Sequence, residues 1–131
     1  MHLPTKAKIE TNEADMTINK KIIEALKKYG MPVAPDHYSG KEKRYFEFNL
    51  YDDTGAVFAD EEPEFDIVII QVHLFLPREE DYLRLKKQIR NSLCEAGFCY
   101  ADITEMVEPE STEQYPYGIR HIIFETEIDE D

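Results

Sequence analysis

The chain has few of the residues on which small secreted domains and nucleotide-binding enzymes depend. Cys94 and Cys99 are the only cysteines, too few for a disulfide framework or for a four-ligand zinc site. Five glycines leave little material for a phosphate-binding loop, and neither HExxH nor GxSxG occurs. The N-terminus also lacks the apolar core of a signal peptide. We therefore expect synthesis in the cytoplasm.

Positive charge is scarce as well. The 131 residues include 15 Lys and Arg against 28 Asp and Glu, a formal net charge of -13. Such a chain repels phosphate backbones, so nucleic-acid binding is not expected. The most apolar run, residues 66–76, is too short to span a membrane as a helix. The length suits one domain with a single core.

That apolar run is the strongest structural signal in the sequence. Its even positions from 68 to 76 are all apolar, and Ile67, Ile69 and Phe75 are apolar at odd positions. Its β-branched residues favour a strand over a helix. Apolar residues on both sides predict a strand in the middle of a sheet, covered on both faces or nearly so.

Two amphipathic helices are predicted on either side of this strand. The first begins at the N-cap Thr17 and ends before Gly30. The second follows an acidic start at residues 79–81 and ends at Gly97. Their apolar stripes are Ile18, Ile22, Leu26 and Tyr29 in the first helix and Tyr82, Leu85, Ile89, Leu93 and Ala96 in the second.

Further strands are predicted at residues 33–38, 43–51, 100–107 and 119–128, with a weak extension at 56–59. In the second of these, Phe46, Phe48 and Leu50 point inward. The pattern predicts an α+β fold with two helices packed on one face of a mixed, mostly antiparallel sheet, in the order αβββαββ. Residues 16–131 form this single domain, and residues 1–15, which lack an apolar face, are predicted to be a disordered leader.

Few residues suggest chemistry. His73 and His121 lie in predicted strands and could share a face, where two imidazoles could bind a metal or transfer a proton. A small metal-dependent hydrolase built on them is one hypothesis; a partly wet sheet face is the simpler interpretation. Cys94 flanks the second helical stripe and is predicted to pack as a small apolar residue. We predict no catalytic residue, no metal site and no cofactor.

Four phrases carry a resemblance to a known family. They are MTINKKIIEALKKYGMPV at residues 16–33, YFEFNL at 45–50, VIIQVHLFLP at 68–77 and HIIFETEI at 121–128. Together they resemble small tail proteins of siphophages and of prophages of Gram-positive bacteria. The chain is similar to the lambda-like tail terminator family over residues 16–128.

The resemblance implies a structural protein and not an enzyme. Tail terminators close into a ring, usually a hexamer, that caps the tail tube and presents a surface to the head-tail connector proteins. It also implies a place in the virion tail, with self, tail tube protein and connector as partners and no membrane. A head-tail connector or tail completion protein is the alternative.

Segregated charge predicts where the subunits meet. Cations on the second helix would face an acidic segment of the next subunit. A Tyr-rich segment at residues 114–117 is a further candidate contact. The candidate contact residues are Arg84, Lys87 and Arg90 on the helix, Asp60, Glu61, Glu62 and Glu64 in the acidic segment, and Tyr115 and Tyr117.

Overall fold

The computed structural model describes residues 17–52 and 67–129. The helices are α1, Ile18–Leu26, extended by a 3-10 turn at Lys27–Tyr29, and α2, Leu83–Glu95; the strands are β1, Val33–Pro35, β2, Tyr45–Asp52, β3, Ile67–Pro77, β4, Asp102–Glu108, and β5, Ile119–Asp129. The predicted α+β class is confirmed. The predicted leader, the extension at residues 56–59 and the acidic segment at residues 60–64 lie outside the described residues.

The five strands form one mixed sheet in the order β1-β2-β3-β5-β4. β1 runs parallel to β2, and the other neighbours are antiparallel. The predicted central position of β3 is confirmed, because two strands lie on each side of it. At its middle, Val72 lies between Phe48 of β2 and Phe124 of β5, and all three side chains are buried.

Both helices contribute their apolar stripes to the core on one face of this sheet. Ile22 and Leu26 of α1 and Ile89 and Leu93 of α2 are fully buried. They pack against the even positions of β3, which are buried along the whole strand. Burying a side chain of this size contributes about 1.5–3 kcal/mol, so this core is the main source of stability.

The ends of α1 follow the predicted signals. The Thr17 hydroxyl accepts a hydrogen bond from the backbone N–H of Lys20, and the chain leaves the 3-10 turn through Gly30 at φ 73°. That left-handed conformation favours glycine. Beside this turn, the Tyr29 hydroxyl lies 2.6 Å from the Ser92 hydroxyl and joins α1 to α2.

The even positions of β3 are buried and its odd positions half-buried, which agrees with a strand covered on both faces or nearly so; both helices lie on one side of the sheet. Two other predictions about burial are wrong. Leu50 is 40% exposed, although it lies on the same face of β2 as the buried Phe46 and Phe48. Cys94 is exposed because its position turns away from the α2 stripe, and Cys99 is exposed as well.

Candidate functional site

The structure divides the predicted helix contacts into two kinds. Arg84 and Lys87 are exposed on the side of α2 that faces away from the sheet, and neither forms an ion pair within the described part of the chain. Arg90 is half-buried instead. Its guanidinium donates to the Ala101 carbonyl and lies 3.9 Å from the centroid of the Tyr100 ring. Two of the three cations are therefore available to a partner, and Arg90 holds α2 to the segment before β4.

Another basic side chain of α2 is also used within the subunit. Lys86 donates to Glu105 of β4 at 2.5 Å, and the Tyr82 hydroxyl donates to the same carboxylate at 2.8 Å. The Lys86 hydrogen bond, aided by the Tyr82 hydrogen bond and by the charge of Arg120, lowers the pKa of Glu105 despite partial burial. Arg120 also lies over the Tyr82 ring, 4.1 Å from its centroid. The sequence placed Tyr82 on the apolar stripe of the second helix. It did not predict the contacts of Tyr82 and Lys86 with β4, which only the tertiary fold creates.

The two tyrosines of the segment before β5 have different roles. Tyr115 is buried, and its hydroxyl donates to the Lys43 carbonyl at 2.9 Å. Burial raises the pKa of this phenol. Tyr117 is 63% exposed and lines a cleft with Arg78 and Arg120. Only Tyr117 presents a free ring, while Tyr115 fastens the loop to the start of β2.

The acidic contact residues Asp60, Glu61, Glu62 and Glu64 lie outside the described residues. The segment that contains them joins β2 to β3. Acidic side chains also occur in the described part of the sheet at the same end of β3. Asp102 lies directly opposite Glu125, with Glu127 further along β5. These three line a cleft of about 240 Å³ together with Ile69 and Tyr100.

The side of the sheet opposite the helices carries a feature that the sequence did not predict. We call this side the open sheet face; its half-buried apolar residues are Tyr45 of β2, Ile67, Ile69 and Phe75 of β3, and Ile123 of β5. The Tyr45 and Phe75 rings stack at 4.8 Å, and Phe75 stacks on His121 at 4.2 Å. The apolar odd positions of β3 are the sequence signal for this face.

His73 and His121 meet on the open sheet face. Nδ1 of His73 lies 2.7 Å from Nε2 of His121, so one ring donates a hydrogen bond to the other. Burial, and then the neighbouring His73, lowers the pKa of His121 to about 4, although Glu47 acts in the opposite direction. Burial also lowers the pKa of His73. Both rings are therefore neutral near pH 7, and the face carries no positive charge from them.

Metal chemistry gains no support from this geometry. The two imidazoles are bonded to each other, and no group of three His, Cys, Asp or Glu side chains suited to a metal occurs within residues 17–52 and 67–129. A protein zinc site normally has at least three such ligands. None of the helices in those ranges is long and apolar enough to cross a membrane.

Comparisons with known proteins leave the family open. No family model matches the chain, and no curated protein matches it. Among solved structures, one with 13% identity covers 86% of this chain and 92% of its own, with a TM-score of 0.48. A likeness of that degree supports no functional argument.

Proposed function

We propose that this protein is a phage tail terminator that works by assembly. Copies of the chain close into a ring, with six subunits as the expected number, and the ring caps the tail tube and receives the head-tail connector. The proposal is supported by the resemblance of residues 16–128 to that family. Its place of action is the virion tail, after synthesis in the host cytoplasm.

One observation of the structure carries the proposal furthest. Arg84 and Lys87 remain exposed and unpaired within the described residues, in a chain with a net charge of -13. Separate copies repel one another unless unlike surfaces meet, so exposed cations on one side favour contact with an acidic side of a neighbour. A contact between two different surfaces produces a ring whenever the rotation closes.

Charge reversal tests this assembly. Arg84→Glu with Lys87→Glu should weaken self-association or tube binding, each lost pair costing about 0.2–1 kcal/mol, without unfolding the subunit. Arg90→Glu is a different case, because it breaks the bonds to Ala101 and should lower the free energy of unfolding. Light scattering across a concentration series measures association, and urea unfolding measures stability.

Phage genetics tests the role in the virion. A phage without this gene should produce tails of abnormal length in electron micrographs, and the wild-type gene in trans should restore uniform tails. Tails of normal length that fail to join heads would indicate a connector instead. Normal, infectious particles would contradict both structural roles.

A further inference from the structure

We propose that the open sheet face of one copy binds the basic helix surface of a second copy, so that subunits join face to back. The basic helix surface consists of the exposed residues Lys20, Lys21 and Lys28 on and after α1 and Arg84 and Lys87 on α2. This inference rests on the proposed self-assembly and names the two surfaces that meet.

The open sheet face has the apolar character of an interface. Phe75 of β3 lies directly between Tyr45 of β2 and His121 of β5, and Met106 of β4, which is 43% exposed, lies opposite His121. Ile123 follows two positions after His121 on the same face and is half-buried. Contiguous apolar surface of this kind is uncommon on a monomer and marks binding sites. Both helices lie on the other face, and on this one the described chain places only the Tyr38 segment, whose ring packs on Tyr45 and whose backbone N–H donates to Glu47.

The aromatic rings on this face limit what can bind there. Tyr38, Tyr45, Phe75 and His121 form one row, with neighbouring centroids 4.6, 4.8 and 4.2 Å apart. Ring faces in the row are occupied by the next ring, so they are not free to stack on a base or a sugar. A packed protein surface, which needs only van der Waals contact with ring edges, fits this row best.

Acidic residues at one end of the open sheet face favour a partner surface with positive charge. Asp102 and Glu125 are directly opposed on β4 and β5, an arrangement that destabilises a sheet. Gln71 donates to Glu125, but no described strand position on this face is Lys or Arg. Cations from a partner would relieve this repulsion.

The basic helix surface supplies those cations in a suitable form. Lys and Arg side chains can lay their alkyl stems on apolar surface while their charged heads reach acidic groups at its margin. Leu83, which is 56% exposed at the start of α2, adds an apolar contact. The two surfaces are therefore complementary in charge and in polarity, and both lie on the same chain.

The size of the face allows a contact somewhat smaller than the standard one. Strands of 3, 8, 11, 7 and 11 residues, about 4.8 Å apart and at about 3.3 Å per residue, cover roughly 600 Å². One partner contributes about 800 Å² to a standard protein interface, so this face would supply most of that area.

Pairing through the sheet edges is less favourable. β1 has only three residues and ends in Pro35, which cannot donate a ladder hydrogen bond. The opposite edge, β4, carries Asp102, Glu105 and Glu108. Short edge strands, prolines and charges are the features by which sheets avoid edge-to-edge pairing. The faces are thus the surfaces through which copies can meet.

A pair of charge-reversed chains tests the geometry. The helix variant carries Arg84→Glu and Lys87→Glu, and the sheet variant carries Glu125→Lys and Glu127→Lys. In each variant alone, the helix surface and the sheet face that meet carry charges of the same sign. We therefore expect self-association to weaken at least tenfold. An equimolar mixture opposes unlike charges at every contact and should associate as the wild type does. Analytical ultracentrifugation up to about millimolar protein measures this.

Matched controls use loops outside both surfaces. Lys41→Glu with Lys43→Glu, and Glu110→Lys with Glu113→Lys, change the net charge by the same amounts and should leave association unchanged. Circular dichroism and urea unfolding verify that each variant is folded. An Ile123→Ser variant probes the apolar part of the face without a charge change, and it should also weaken association.

Several outcomes would overturn the inference. A helix variant that associates normally while the sheet variant does not would indicate sheet-to-sheet contact, and failure of the mixture to recover would exclude face-to-back contact. Wild-type protein that stays monomeric at all concentrations would also exclude it. If both variants assemble while a gene deletion yields abnormal tails, the tail terminator role stands and this contact fails. If the mixture recovers but deletion leaves tails normal, the contact stands and the role fails.

Discussion

The histidine pair makes stability depend on pH in a defined direction. Burial and the neighbouring His73 lower the pKa of His121 from 6.5 to about 4. The folded chain therefore keeps this ring neutral at pH values where the unfolded chain protonates it. The stability that depends on a neutral His121 is therefore fully present above pH 6.5 and is lost as the pH falls from 6.5 towards 4.

The magnitude follows from the size of the difference. A difference of one in pKa is worth about 1.36 kcal/mol, so a lowering of about 2.5 corresponds to about 3.4 kcal/mol. His121 is only half-buried, so solvent screening reduces this, and we expect about 1–2 kcal/mol. His121→Phe removes the titration and keeps a ring to stack on Phe75.

The assay compares the two proteins by urea unfolding between pH 7 and pH 4.5. Carboxylates titrate in both, so the informative quantity is the difference in unfolding free energy between wild type and variant. As the pH falls, the wild type should lose about 1–2 kcal/mol of unfolding free energy relative to His121→Phe. A difference that stays constant with pH, or an NMR titration of His121 with a midpoint near 6.5, would refute the reasoning.

Three further predictions concern the fold. Phe124→Ala should lower the unfolding free energy by about 3–5 kcal/mol, because Phe124 is fully buried, whereas Ile123→Ala on the open sheet face should cost clearly less in the same urea assay. The double variant Cys94→Ser and Cys99→Ser should stay within about 0.5 kcal/mol of wild type, since both thiols are exposed; a larger loss would show that one of them packs in the folded protein. A chain that begins at Met16 should melt within a few degrees of the full chain, and failure of that chain to fold would show that residues 1–15 form part of the structure.

Local sequence signals predicted the secondary structure well where the relevant forces are local. Thr17 and Gly30 determine where the first helix begins and ends, and the alternation of Phe46 and Phe48 determines the inward face of β2. Periodicity identifies which side of an element is apolar. It does not identify what lies opposite that side, so Leu50 was wrongly placed inside.

The contact residues were harder to predict because side-chain partners come from tertiary structure. Helical spacing shows Arg84, Lys87 and Arg90 as one basic surface. The turn between α2 and β4 brings Tyr100 and Ala101 beside Arg90 alone, which removes it from that surface. Tyr115 differs from Tyr117 for a similar reason, since its hydroxyl meets the Lys43 carbonyl, 72 residues away in sequence.

The odd positions of β3 connect the sequence of this strand to the proposed assembly. Apolar residues at Ile67, Ile69 and Phe75 predict a strand covered on both faces or nearly so, and the two described helices cover one face. Isolated exposed apolar residues need no explanation, but a contiguous group across β3 and β5 does. If the second layer is the helix surface of another copy, the strand is covered on both faces in the assembly, as its sequence predicts. The same substitution, Ile123→Ser, should then leave the subunit folded and weaken the contact between copies. A large loss in the free energy of unfolding, with unchanged association of the molecules that remain folded, would show instead that this face is covered within one chain.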